Sequence, residues 1–168
     1  NGSPNAIWFG AAITTVDDID GDGVAEILVG REGTNGDPGA AYVFSGAPHE
    51  LGDMLIEIWP AAASVAGRTQ FVDLDGNGGA DIIAIDANND RVAIRMNNGN
   101  GGFFSAVYLA VGDGPSDMAF ADLDNDGDKD MVVTLRAEDR LAIYRNTLGI
   151  LFKSGTIKTG RQPVGVVT

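Results

Sequence analysis

Three short stretches of the chain place oxygen-bearing side chains at alternate positions ahead of a glycine: Asp18–Glu26, Asp73–Asp81 and Asp122–Asp130. Counting the first acid as position 1, positions 1, 3 and 5 are Asp18, Asp20 and Asp22 in the first stretch. They are Asp73, Asp75 and Asn77 in the second, and Asp122, Asp124 and Asp126 in the third. Position 6 is always glycine (Gly23, Gly78, Gly127), and position 9 is Glu26, Asp81 or Asp130. A tight loop with this alternation turns its side-chain oxygens toward one point, and the glycine lets the backbone fold back on itself. The main-chain carbonyl at position 7 (Val24, Gly79 or Asp128) is then placed to add a further oxygen. Calcium, a hard cation, takes six to eight oxygens at about 2.3–2.6 Å. The spacing therefore predicts three calcium sites.

A helical calcium hand shares positions 1, 3, 5 and 6 but needs a bidentate glutamate at position 12 and flanking helices. Here position 12 is Val29, Ala84 or Val133, inside an apolar run. That reading fails. An Asp/Gly cluster of this kind can also be a plain polar turn, but one such loop already favours metal, and three in register, each entering the same kind of apolar run, argue for it strongly. Asn77 in place of an acid and the pair Gly78-Gly79 predict the lowest affinity for the second loop. The apolar residue at position 2 (Ile19, Leu74, Leu123) is expected to pin each loop to the core.

The elements that must position these loops are strands. Around the second loop, Thr69–Val72 leads in and Ile82–Ile85 leads out; Arg91–Met96 then alternates polar and apolar as a half-buried strand should. The Asn/Gly-rich run 97–102 is a turn, and Phe103–Val111 a fourth strand. The third unit repeats this with Met131–Leu135, Leu141–Tyr144 and Ile150–Thr159. In the first unit the corresponding runs are Ile7–Val16, Ile27–Arg31, Ala40–Ser45 and Met54–Trp59. Asp90–Asn97 (DRVAIRMN) aligns with Asp139–Asn146 (DRLAIYRN), and Gly112–Pro115 with Gly160–Pro163. The chain thus reads as repeats over about 6–60, 61–112 and 113–160, with 161–168 opening a fourth. Four short antiparallel strands per unit of this length are the signature of propeller blades. Three blades do not close a ring, so the ring is expected to be completed by the remainder of a longer chain or by further copies in a homo-oligomer.

Bulk composition is consistent with this. The 24 glycines cluster in turns, and hydrophobic content of 44% supports a packed core. The formal charge of −13 argues against nucleic acid or an anionic membrane as partner, and no apolar run is long enough for insertion as a helix. Twelve of the 24 acids lie in the loops, eleven of them at the alternating positions or position 9, and three divalent ions would offset nearly half of the net charge. The absence of cysteine excludes disulfides and thiolate metal sites, and the single His49 excludes multi-histidine zinc.

In these residues the chain resembles the FG-GAP/VCBS repeat family, the calcium-binding blades of integrin-α-like propellers and of many bacterial surface proteins. Phe9-Gly10 and Gly39–Phe44 match the two halves of the family motif, with Asp18–Glu26 between them. The second and third units resemble the VCBS version, with Asn97–Phe103 as its turn and Asn146–Phe152 a degraded copy of it. The resemblance implies an all-β propeller with each calcium loop joining the first and second strands of a blade. It also implies an extracellular, cell-surface or periplasmic setting and a role in adhesion or recognition.

Three functions are distinguished at this stage. The first is a non-catalytic, calcium-stabilised segment of an extracellular adhesion protein with a protein or glycan ligand. The second is a lectin-like propeller, for which Trp8, Trp59, Tyr108 and Tyr144 are candidate sugar-stacking residues against a simpler role in the core. The third is an accessory part of a polysaccharide-degrading enzyme. No nucleophile–base pair stands out: the paired carboxylates are accounted for as calcium ligands, and His49 follows Pro48 in a loop. The recurrence of Asp90-Arg91 as Asp139-Arg140 reads as a structural turn. The sequence therefore favours a non-enzyme.

Overall fold

The computed structural model describes residues 9–16, 18, 23–31, 40–44, 56–57, 69–99 and 102–167. The β-branched, apolar runs that follow the acidic loops form strands, as their side chains favour. The first sheet runs in sequence order through β1 (Phe9–Val16), β2 (Glu26–Arg31), β3 (Ala40–Phe44) and β4 (Ile56–Glu57). The second contains β5 (Thr69–Val72), β6 (Asp81–Asp86), β7 (Arg91–Arg95) and β8 (Val107–Ala110). The third contains β9 (Pro115–Ala121), β10 (Asp130–Leu135), β11 (Arg140–Thr147) and β12 (Ile150–Lys158). Every neighbouring pair is antiparallel, so each sheet is a simple meander. In all three, the acidic loop connects the first strand to the second.

In the second and third sheets the second strands carry the core. Every residue of β6 and of β10 is buried, so these continuous apolar runs are covered on both faces. One cluster joins the second and third sheets: Ile83, Ile85, Val92 and Ile94 pack with Met118, Met131, Val133, Leu135 and Tyr144. The middle of β7 is also buried on both faces, Ala93 included, rather than half-buried as its alternation predicts. Only Arg91 and Arg95 at its ends keep partial exposure.

Hydrogen bonds cross between these two sheets. Gln70 Nε2 donates to the Met118 carbonyl (3.2 Å), and Tyr144 Oη donates to the Val111 carbonyl (3.0 Å). Tyr144 is 1% exposed; burial, with the charge of Glu138 nearby, raises its phenol pKa and keeps it a donor. Tyr144→Phe is expected to leave the Val111 carbonyl without that donor and to cost about 1–2 kcal/mol in urea unfolding. An unchanged midpoint would show that water or a shifted neighbour replaces the bond.

The recurring aspartates are the turn residues their spacing suggests. Asp90 and Asp139 both adopt positive φ, and their Oδ1 atoms accept the amides of Gly114 (2.9 Å) and Gln162 (2.7 Å). Each thus fixes the segment leaving its own sheet. The adjacent arginines differ: Arg91 pairs with Asp86 (2.7 Å) and lies over the Tyr108 ring, whereas Arg140 donates to Thr156 (3.0 Å).

Two strands differ from their predicted extents. Phe103–Val111 is interrupted: Phe103 makes only an isolated bridge to Asn97, and the ladder resumes at Val107. In the third sheet the turn has shortened to Leu148-Gly149, both at positive φ, between the paired residues Thr147 and Ile150. Two consecutive left-handed residues make the tight hairpin that lets β11 extend to Thr147. Of the residues 161–168 expected to open a fourth blade, the described ones, 161–167, form no strand. They lie along β9 through Ser116 Oγ to the Pro163 carbonyl (2.9 Å) and the Val166 amide to Asp117 (2.9 Å).

Candidate metal centres

The position-6 glycines adopt the backbone the spacing requires. Gly23, Gly78 and Gly127 have φ of 88°, 90° and 100°. In each loop this amide donates to the position-1 carboxylate: Gly23 to Asp18 (2.8 Å), Gly78 to Asp73 (3.0 Å) and Gly127 to Asp122 (3.0 Å). The three loops share one local geometry at these positions. Asp20 and Asp22 lie outside the described residues, as do Ile19, Trp8, Trp59 and His49; Asp18, Val24 and Glu26 lie within them, with Glu26 buried.

Position 9 is the structural pivot. Asp81, fully buried at the start of β6, accepts the Leu74 amide (2.8 Å) on Oδ2 and the Asn97 amide (2.7 Å) on Oδ1. Asp130 repeats this with the amides of Leu123 (3.0 Å) and Asn146 (2.9 Å). One carboxylate thus ties the loop to the end of the third strand. Sequence spacing marks position 9 as a ligand; its second role depends on Asn97 and Asn146, whose equivalence is visible only in the aligned repeats.

Around that pivot, carboxylates converge. One oxygen each of Asp73, Asp75 and Asp81 lie within 4.8 Å of one another, and so do those of Asp122, Asp124 and Asp130. At position 5 the side-chain oxygens are held by the loop's own backbone. Asp126 Oδ1 accepts the Asp128 amide (2.9 Å), and Asn77 Oδ1 accepts the Gly79 amide (2.7 Å). Asp73 Oδ1 is buried, and no hydrogen-bond donor among the described residues reaches it. A buried carboxylate oxygen with no donor, facing two other carboxylates, is what a cation would satisfy. The residues fit calcium.

The two clusters differ electrostatically. Burial raises the Asp81 carboxyl above the usual range; the Asn97 and Leu74 amides oppose this, while Asp75 and Asp73 reinforce it. Burial acts in the same direction on Asp130, but the Asn146 and Leu123 amides and Arg145 outweigh it and hold the carboxyl low. Arg145 Nη1 contacts Asp130 Oδ2 and lies 3.4 Å from Asp124.

Two expectations are corrected. Leu123 is 42% exposed and does not anchor the third loop, whereas Leu74 is buried. Leu74 lies under the third sheet, whose Asn146 Nδ2 donates to its carbonyl (2.7 Å). Leu123 has no such cover among the described residues. The second loop is not loosened by Gly79: a Cβ there would lie 2.8 Å from the Asn97 carboxamide, so glycine permits close approach. Asn77 tightens the same loop by donating to Asp75 (3.1 Å) and the Asn97 carbonyl (3.2 Å). Of the aromatic residues considered for sugar stacking, Tyr144 is core and Tyr108, half exposed, is covered on one face by Arg91.

At the opposite end of the strands, a hollow beside the β10–β11 turn is lined by Arg136, Ala137, Asp139, Arg161 and Gln162. Among the described residues no helix is long and apolar enough to cross a membrane.

Comparison with known proteins gives two family matches. Residues 9–44 match the FG-GAP repeat and residues 73–133 the FG-GAP-like repeat. A curated relative, integrin alpha-X of Mus musculus, is 31% identical over 80 residues, covering 44% of this chain and 6% of its own length. The chain thus spans a small fraction of that relative. A crystal structure of the V. cholerae biofilm matrix protein Bap1 covers 88% of this chain and 25% of its own, with 21% identity and a TM-score of 0.49.

Proposed function

The chain is built of FG-GAP repeats, and from that premise we propose a calcium-stabilised, non-catalytic propeller segment of an extracellular adhesion or recognition protein. Its three four-stranded sheets are blades of a partial β-propeller. The observation that carries the calcium reading is the repeated convergence of three carboxylates on a loop whose glycine amide already holds the first of them. The ions would be held by Asp73, Asp75 and Asp81, and by Asp122, Asp124 and Asp130, with the position-7 carbonyls of Gly79 and Asp128 completing the shell. The first loop, with Asp18 and Glu26 in the same register, would take a third. Calcium supplies charge neutralisation and a rigid link between two strands; the chain supplies the converging oxygens and the amides that orient them. The likeness to an integrin chain supports the adhesion reading, a surface or otherwise extracellular setting, and a protein or glycan as ligand.

Calcium at about 1 mM and a Kd of about 0.1 mM would add roughly 1.4 kcal/mol per site. The expected result is binding in calorimetric titration, together with a melting temperature that rises in calcium and falls again on chelation. No heat of binding, with a melting temperature indifferent to chelator, would overturn the reading. A glycan array on the whole protein tests the lectin-like alternative.

A further inference from the structure

The second and third loops differ at one place that bears directly on metal binding. The third strands align residue for residue, so that Arg145 stands where the second sheet has Met96. Arg145 does not extend into solvent. Its guanidinium contacts Asp130 Oδ2 and sits 3.4 Å from Asp124 Oδ2, two of the three carboxylates that converge in this loop. Asp130 then accepts three hydrogen bonds: Oδ1 takes the Asn146 amide, and Oδ2 takes both the Leu123 amide and Arg145. Among the described residues, Asp81 in the second loop takes only its two amides and keeps the remaining acceptor capacity toward Asp73 and Asp75.

We propose that Arg145 is an internal counter-cation of the third loop, holding the carboxylate oxygens that a calcium ion would need. This rests on the reading that the loops bind calcium. The third loop fills only when the guanidinium swings out, which its unbranched stem and 26% side-chain exposure allow. The second loop, with methionine at this position, carries no such competitor and fills first. The ordering reverses the one that Asn77 and the glycine pair suggest. Arg145 also gives the metal-free third loop a partner for its charge, so that the two loops depend differently on the ion. It is a positioning residue, acting on the ion through the carboxylates.

The amides of Gly78 and Gly127, each bonded to the first carboxylate of its loop, report the two sites separately in an amide-resolved NMR titration of the metal-free chain with calcium alone. In the wild type the Gly78 signal is expected to move at lower calcium than Gly127. Arg145→Met should tighten the Gly127 transition by roughly tenfold or more, the effect of removing one close charge, and leave Gly78 in place. Arg145→Lys should stay near wild type. The reciprocal Met96→Arg should weaken the Gly78 transition by a similar factor, and it serves if Arg145→Met folds poorly. Unchanged transitions in Arg145→Met or in Met96→Arg, with both loops still titrating, would overturn the role of Arg145 and leave calcium binding standing. Silence of both amides in every variant up to about 1 mM calcium would instead refute calcium binding, and this inference with it.

Discussion

Replacing Asp81 with alanine is expected to destabilise the metal-free protein by about 3 kcal/mol and to abolish the calcium response of the second loop. The first effect does not depend on metal. Asp81 is fully buried, and its two oxygens accept the Leu74 and Asn97 amides at 2.8 and 2.7 Å. Alanine leaves both amides without an acceptor in a region where Leu74 and Asn97 are each 1% exposed. Each orphaned donor costs about 1–3 kcal/mol. Relief of repulsion with Asp73 and Asp75 offsets part of that, because burial and those neighbours already disfavour the Asp81 charge. Asp75→Asn provides the contrast. Asp75 is only partly buried and, among the described residues, accepts hydrogen bonds from Asn77 alone, at 3.1 Å through amide and side chain. It should lose calcium response at little cost to the metal-free fold. Urea unfolding with and without calcium separates the two variants. Equal metal-free stability for Asp81→Ala and Asp75→Asn would show that position 9 is a ligand and nothing more.

That double role explains how far the sequence could be read. Positions 1, 3 and 9 and the position-6 glycine are legible because local chain geometry dictates them. Gly78 and Gly127 take positive φ and bond to Asp73 and Asp122 whatever surrounds the loop. The four-strand meander is legible for a similar reason, since its connections are short and the repeats align. What a neighbouring strand or sheet decides is not legible. Leu74 and Leu123 occupy one repeat position, yet one is buried beneath the next sheet and the other exposed. Gly79 looks like a point of slack until the Asn97 side chain is placed beside it. Arg145, one residue past the predicted Leu141–Tyr144 strand, carries no signal of its own until its guanidinium is seen among Asp124 and Asp130. Each of these depends on a contact formed at a distance in sequence.

Gly149→Ala is expected to cost about 2–4 kcal/mol and to weaken calcium binding at the second loop, although residue 149 belongs to the third sheet. Gly149 has φ of 84° in the Leu148-Gly149 turn. A Cβ there would lie 2.8 Å from Asp75 Cβ, 3.4 Å from Asp75 Cα and 3.0 Å from Met96 Cε. The turn of the third sheet therefore abuts a carboxylate residue of the preceding loop, and Asn146 reinforces the junction through the Leu74 carbonyl. Backbone strain alone accounts for about 1 kcal/mol; the rest comes from displacing Asp75, whose backbone cannot rotate away as a side-chain tip could. Gly99→Ala isolates the two contributions, because Gly99 has φ of 73° with nothing within 4 Å of an added Cβ. It should show the strain and no change in calcium binding. If Gly149→Ala proved no more costly than Gly99→Ala and left the Gly78 titration unmoved, the loops would be independent of the sheet that follows them. The contact seen here argues otherwise: the second loop is shaped by its own chain geometry, then held in place by the neighbouring sheet.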